Sequence, residues 1–299
     1  MRALKLWFWA VRPWAYPASV IPVLLGTILA FADGFFYPLL FLLTLAGGLL
    51  IHTATNLFND YFDFIYGVDT PGSRGSGWVL VEGLLSPRQV LRGAVVSLLA
   101  LLPVGVYLFV LRGAVLLLLV IVGIFAGYFY TARPVALKYR GMGVPVVFFL
   151  MGPMKVLGAY FVQAARFSRG VFLVSLPIGF LVAAILYANE YRDIEQDSSQ
   201  GIVNPSILLG RRKGRFIYYF LLAGAYIQVV TLVAAGLLGL EAMLIFLTLP
   251  FVIKPVRAVE LSARGEKVPL FYSVDRLTAG LHLRFGLLLI CGIALHCLW

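Results

Sequence analysis

Apolar runs of about 17 to 25 residues recur along the whole chain, separated by short polar segments. They lie at about 14–32, 36–57, 88–111, 113–131, 143–164, 170–190, 215–238, 241–259 and 279–298. As a helix, each is long enough to cross roughly 30 Å of hydrocarbon. Barrel strands would alternate apolar and polar residues over about ten positions, whereas these runs are continuously apolar, so the pattern predicts helices. The expectation is an all-α, polytopic membrane protein with nine transmembrane helices, residues 1–299 forming one transmembrane domain. Ala30-Phe31-Ala32 after the first run resembles a signal-peptidase site. The run nevertheless follows Arg12-Pro13 and is long enough to span, so it is read as the first helix.

Composition agrees: 62% of residues are hydrophobic, only 12% are charged, and the mean hydropathy is +0.96, outside the range of soluble domains. A net charge of +11 raises the question of nucleic acid. The basic residues are instead spread over several short loops beside apolar spans, a pattern that fits topology signals and anionic lipid headgroups, so membrane lipids and no nucleic acid are expected as partners. With nine spans, Arg2, Arg12, Arg74, Arg133, Lys138, Arg192, Arg211 and most other basic residues fall on the face of the N-terminus. Arg112, Arg166 and Arg169 fall on the other. By the positive-inside rule the N-terminal face is cytoplasmic. Cys291 and Cys297, both in the last span, form neither a disulfide framework nor a usual zinc spacing and are read as core packing.

Acidic residues number 13, and seven of them sit in two short segments. The first, NLFNDYFDFIYGVD from Asn56 to Asp69, carries Asp60, Asp63 and Asp69. The second, NEYRDIEQD from Asn189 to Asp197, carries Glu190, Asp193, Glu195 and Asp197. Each begins where an apolar span ends on the N-terminal face. If the helices continue, Asn56 and Asp60 lie one turn apart, as do Asn59 and Asp63, making one polar stripe; Asn189, Asp193 and Asp197 make another. Carboxylates so spaced repel one another unless a cation compensates, and oxygen donors without His or Cys suit Mg²⁺. Acidic residues at span ends are commonly just solvated. The recurrence of Asn-x-x-x-Asp about 130 residues apart argues for a site.

Arg74, Arg192, Arg133, Lys138 and Arg140 lie near these carboxylates and could stabilise a multiply charged diphosphate. The loop from Thr70 to Pro87, with Gly72, Gly75 and Gly77, lacks a Walker signature and reads as a mobile cover. Lys155 interrupts an apolar span, where a lone ammonium is costly, and either faces a cavity or pairs with a carboxylate. His52, His282 and His296 lie inside spans at no metal-binding spacing and are read as hydrogen-bonded packing residues.

NDYFDFIYGVD followed by EYRDIEQD closely resembles the paired aspartate motifs of the UbiA-superfamily intramembrane prenyltransferases, with the nearest likeness to the 1,4-dihydroxy-2-naphthoate prenyltransferases of menaquinone synthesis. The likeness runs in order through RPWAYPASVIPVLLGT, YTARPVALKYRGMG, GPMKVLGAYFVQ and LTAGLHLRFGLLL. It implies nine helices around a central cavity with the aspartate motifs at its cytoplasmic mouth, in the membrane of a prokaryotic cell. Carried over by motif, Asn56, Asn59, Asp60, Asp63, Asn189, Asp193 and Asp197 would hold Mg²⁺ and diphosphate, and Arg192 and Lys138 would touch phosphate oxygens. The reactants implied are a polyprenyl diphosphate and a small aromatic acceptor. Several positions depart from the family pattern: Asn189 stands where an aspartate is common, Gly201 is followed by Ile202, Val203, Asn204 and Pro205 in place of a Gly-Lys-x-Thr-like stretch, Val144 replaces an acidic residue, and Trp78, Val79 and Glu82 replace a basic and a small residue. These changes affect expected substrate contacts more than the metal motifs.

Such a reaction needs an apolar enclosure that keeps water from the allylic cation, and Tyr61, Phe62, Tyr130, Phe148, Tyr160 and Tyr187 are candidates to line it. The same superfamily also uses 4-hydroxybenzoate or glycerol-based lipid acceptors. Outside it, a cation-coupled transporter would use intramembrane carboxylates too, but nearer the midplane. A non-catalytic membrane scaffold is the third reading.

Overall fold

The computed structural model describes residues 2–70, 77–266 and 268–297, and among these every regular element is helical apart from one isolated bridge. The helices are α1 (Arg2–Val11), α2 (Pro17–Ala32), α3 (Pro38–Ile65), α4 (Trp78–Val81), α5 (Pro87–Arg112), α6 (Ala114–Phe129), α7 (Gly143–Phe149), α8 (Lys155–Ala164), α9 (Arg169–Arg192), α10 (Ile194–Ser199), α11 (Pro205–Ala234), α12 (Leu249–Ala263) and α13 (Val274–His296). A π turn, Leu150–Met154, joins α7 to α8.

Among the described residues, seven helical stretches are long and apolar enough to cross a bilayer. An eighth forms if Leu4–Ala15 and Pro17–Ala32, bent by 49°, count as one span. Ala114–Phe129 is apolar but has only 16 residues, so the expected count of nine is corrected to seven or eight full-length spans. The shortfall has a local cause: Gly113, with φ 76°, ends α5 immediately before α6, and the chain leaves α6 early for the loop that carries Lys138. The protein is an integral, multi-pass membrane protein.

Helix starts follow their caps. Pro occupies the first turn of α2, α3, α5, α11 and α12, where its missing N–H costs nothing. Ser86 and Gln89 form a capping box on α5. The main core gathers α2, α8, α9, α11 and α13 around Tyr160, Tyr187, Tyr191, Tyr218 and Phe285, all fully buried. A second cluster sets α1, α4 and α5 against α3. Close helix approach rests on Gly152 and Gly179: a Cβ on Gly152 would sit 2.4 Å from the Gly179 Cα.

Several side chains depart from expectation. Cys291 and Cys297 are exposed on the outside of the bundle, because α13 turns only its other face to α2 and α9. His52 is hydrogen-bonded as expected, through Nδ1 to Ser19 at 2.6 Å. His282 is fully buried with neither ring nitrogen partnered among the described residues, and His296 is exposed beside Glu241. Tyr160 donates to Asp33 at the end of the bundle remote from the aspartate motifs, and the buried Tyr187 hydroxyl donates to Gly214 O of α11 at 2.7 Å. Tyr61 and Phe62 stack among Tyr66, Phe58 and Tyr128. Of the six aromatic candidates, Tyr130 and Phe148 remain beside the carboxylate end and the α7–α9 seam.

Candidate active site

α3 runs unbroken through the first acidic segment, so Asn56, Asn59, Asp60 and Asp63 occupy successive turns, with both aspartates at 4% exposure. Residues three apart lie about 60° apart around a helix, so the stripe has two edges. Along one, Asn59 Nδ2 donates to Thr131 Oγ1 at 2.8 Å. Asp63 accepts from Lys138 Nζ at 2.6 Å and from the Tyr139 hydroxyl. Along the other, Asp60 pairs with the Arg12 guanidinium. Arg12 sits at the break between α1 and α2 in the left-handed region, φ 56° and ψ 63°, and the bend at Pro13 turns it toward α3.

The second segment is not one continuous helix, which corrects the expectation of a straight second stripe. α9 ends at Arg192 and Asp193, at φ −98° and ψ 14°, links it to α10. Hydrogen bonds from Asp193 N to Asn189 O at 3.1 Å and from Asp197 N to Asp193 O at 2.9 Å carry the register across the break, so Asp193 and Asp197 remain one turn apart. Arg192 grips both oxygens of Asp193, at 2.8 and 2.6 Å, and reaches Asp275 of α13 at 2.6 Å. The Asn189 side chain is exposed and makes no hydrogen bond to any described residue, so it stands apart from the other candidates.

The two segments meet at Lys138. Burial pulls its ammonium pKa down, but Asp63, with Asp69 and Asp197 further off, outweighs burial and the net shift is upward. Asp197 is pushed up to about 6, chiefly by burial and then by repulsion from Asp193 and Asp63, against the attraction of Lys138 and Arg192. Burial, and after it Asp63, likewise raises Asp69. A backbone strap fixes the arrangement: Val203 N donates to Tyr139 O at 3.4 Å, and Asn204 Nδ2 to Asp197 Oδ2 at 3.2 Å. Asn204 Oδ1 also caps α11 at Ile207 N, 2.9 Å. The departure Val203-Asn204 is therefore part of the site's frame.

Gly77 explains the near end of the Thr70–Pro87 loop. A Cβ there would fall 2.2 Å from Asp69 Oδ2 and 3.7 Å from Asp60 Oδ1, so a side chain at this position would displace the Asp69 carboxylate or the backbone. The described part of the loop is not a loose cover: Val79, Leu80 and Leu85 are buried against α1 and α3. Arg74 lies outside the described residues.

Among the described residues no group of three His, Cys, Asp or Glu side chains is clustered tightly enough to hold a metal unaided. The carboxylates are instead spread over separate pairs with Arg12, Lys138 and Arg192. Among the described residues Asn56 Nδ2, Glu190 Oε2 and Asp275 Oδ1 are buried without a hydrogen-bond partner, and Asp60 Oδ1 faces Arg12. Buried polar atoms left in this condition, in an oxygen-rich set, fit a hard cation and its anionic ligand.

The chain matches the model of the UbiA prenyltransferase family over residues 19–273. The chain belongs to the UbiA prenyltransferase family. It is 36% identical, over 94% of its own length and 90% of the relative's, to a 1,4-dihydroxy-2-naphthoate octaprenyltransferase of Bacillus subtilis (strain 168). The fold superposes on the apo structure of a UbiA homolog from Aeropyrum pernix K1 with a TM-score of 0.68, at 18% identity over 93% of this chain and 97% of that one. It also superposes on a UbiA homolog from Archaeoglobus fulgidus bound to GPP and Mg²⁺, with a TM-score of 0.61 at 16% identity over 96% and 99%.

This UbiA-family chain is thus an intramembrane prenyltransferase. Four of the residues that frame its carboxylate end, Arg12, Tyr139, Asn204 and Asp275, were not singled out as site residues from the sequence. Arg12 had a usable signal, since it precedes Pro13 where the first apolar run begins. Asp275 had none, being an isolated acid at the head of the last span.

Proposed function

We propose that this enzyme transfers a prenyl group from a polyprenyl diphosphate to an aromatic acceptor, 1,4-dihydroxy-2-naphthoate, in a Mg²⁺-dependent reaction at the carboxylate end of the bundle. The reading extends to the whole chain acting as one transmembrane domain with that end toward the cytoplasm, which the surplus of basic residues on that face supports. One observation carries it: Asp63 and Asp197, 134 positions apart in sequence, lie in the field of the same lysine. The Bacillus subtilis relative supports the acceptor, and the archaeal homolog that binds GPP and Mg²⁺ supports the donor class.

Asn56, Asp60, Asp63, Asp193 and Asp197 would hold Mg²⁺, which when bound supplies positive charge to the departing diphosphate. Lys138, Arg12 and Arg192 stand beside those carboxylates and can exchange them for phosphate oxygens. The Tyr139 hydroxyl and Asn204 keep Asp63 and Asp197 oriented. Tyr130 and Phe148 wall the space that shields the allylic cation from water. In the overall reaction the C–O bond to diphosphate breaks with its electron pair on the diphosphate. A new C–C bond forms at the acceptor carbon that gives up its carboxylate as CO₂.

A different acceptor, 4-hydroxybenzoate or a glycerol-based lipid, is the second reading, favoured by the departure at Val144. The test is incubation of the purified protein with polyprenyl diphosphates and a panel of acceptors, scoring Mg²⁺-dependent diphosphate release and product mass. D60A and D193A should abolish turnover while retaining helical circular dichroism. Full activity in either variant would remove the site assignment.

A further inference from the structure

Lys155 opens α8 directly after the π turn Leu150–Met154, an irregularity that in helices often marks a functional position. Counted from Gly143, it lies twelve residues into its span, about 18 Å along the helix. That is too deep for its four-carbon stem to bring the ammonium to the end of the bundle. Lys155 keeps accessible surface although Val156, Ala159 and Tyr160 beside it are buried, so it is not part of the solid core. Nζ donates to Ser19 Oγ, and the structure gives it no carboxylate among the described residues.

The acceptor of that bond is itself held. Ser19 is fully buried and shares its hydroxyl with His52 Nδ1 at 2.6 Å. The Tyr16 ring meets His52 edge-on at 5.7 Å, and the Tyr16 hydroxyl bonds Thr53 Oγ1 at 2.8 Å. Three helices thus hold one ammonium deep in the bundle with donors to spare. Fixing a cation in this way costs stability unless an anion arrives to meet it.

Its depth identifies the anion. His52 precedes Asp60 by eight residues on α3, so the lysine's anchor lies about 12 Å further into the bundle than the carboxylate site. Arg12, Lys138 and Arg192 already serve that outer site. A diphosphate bound there would not reach Lys155, and a prenyl chain offers it nothing. The reactant left is the acceptor.

We propose that Lys155, positioned by Ser19 and His52, binds the carboxylate of an acidic aromatic acceptor and so sets both its orientation and the enzyme's preference for carboxylated rings. This rests on the aromatic-acceptor reading above. The test compares wild type with K155M and K155R, using 1-hydroxy-2-naphthoate and 1-naphthol as matched probes. The readouts are equilibrium binding of each probe by fluorescence and the ratio of their kcat/KM values with one prenyl diphosphate.

A charged hydrogen bond lost from such a site corresponds to about a 10- to 100-fold change. K155M should lower the carboxylate-to-naphthol ratio, in binding and in turnover, by that factor, and K155R should recover part of it. A merely structural role would weaken both probes together and leave the ratio where it was, which overturns the inference. If wild type prenylates carboxylated rings and K155M keeps the same ratio, the inference alone fails. If wild type prenylates no aromatic ring, the acceptor reading falls and takes the inference with it.

Discussion

Replacing Lys138 with Met removes the ammonium that lies 2.6 Å from Asp63 Oδ2, while the Tyr139 hydroxyl still donates to Asp63 Oδ1. The lysine side chain is 24% exposed and the aspartate 5%, so the pair is mostly but not fully desolvated. Breaking a buried pair costs about 3–5 kcal/mol; with one hydrogen bond kept and some solvent present, a loss of about 1–3 kcal/mol of stability is expected. The same lysine competes with any divalent cation for Asp63, so Mg²⁺ should raise the Tm of K138M more than that of wild type. If Lys138 exchanges Asp63 for phosphate during binding, K138M should also raise KM for the prenyl diphosphate by about 10- to 100-fold. Thermal unfolding in detergent with and without Mg²⁺, together with initial rates against donor concentration, measures all three effects. A donor KM within threefold of wild type, or a smaller Mg²⁺ stabilisation in the variant, would refute the exchange.

Two further substitutions test the frame around the carboxylates. G77A places a methyl 2.2 Å from Asp69 Oδ2, so backbone or carboxylate must move, and a stability loss of about 1–3 kcal/mol with a fall in donor kcat/KM is expected; unchanged kinetics would show that Asp69 and its loop lie outside the working site. N204A removes the cap of α11 and the donor to Asp197 together, so detergent-based unfolding should report a loss of about 1–2 kcal/mol and Mg²⁺ titration a weaker response; an unaltered Mg²⁺ response would confine Asn204 to its capping role.

How far the sequence could lead depended on how local each interaction is. In so apolar a chain every cluster of charge needs a compensating partner, so Asp60, Asp63, Asp193 and Asp197 were legible from spacing alone, as was the helical nature of the runs around them. The partners were not legible, because they come from distant elements: Arg12 from the α1–α2 break, Tyr139 from the loop after α6, Asp275 from the head of α13. Span counting failed where length alone decides, at α6, whose composition is apolar but whose helix stops at Phe129. The second stripe failed as a straight helix because nothing local marks Asp193 as a break.

Asn204 shows why a departure from a family pattern cannot be judged from sequence. Read as the loss of a basic and a hydroxyl side chain, the Val203-Asn204-Pro205 stretch looked like damage to substrate contacts. In the fold, Pro205 sets the first turn of α11, Asn204 caps it, and the spare amide donor of the same side chain holds Asp197. One residue thereby ties helix geometry to carboxylate orientation, which spacing cannot reveal. Lys155 is the converse case. Its cost was visible at once in the sequence, and its three-helix setting with Ser19 and His52 was not. Asn204 therefore places a departure from the family pattern at the support of Asp197 and not at a substrate contact.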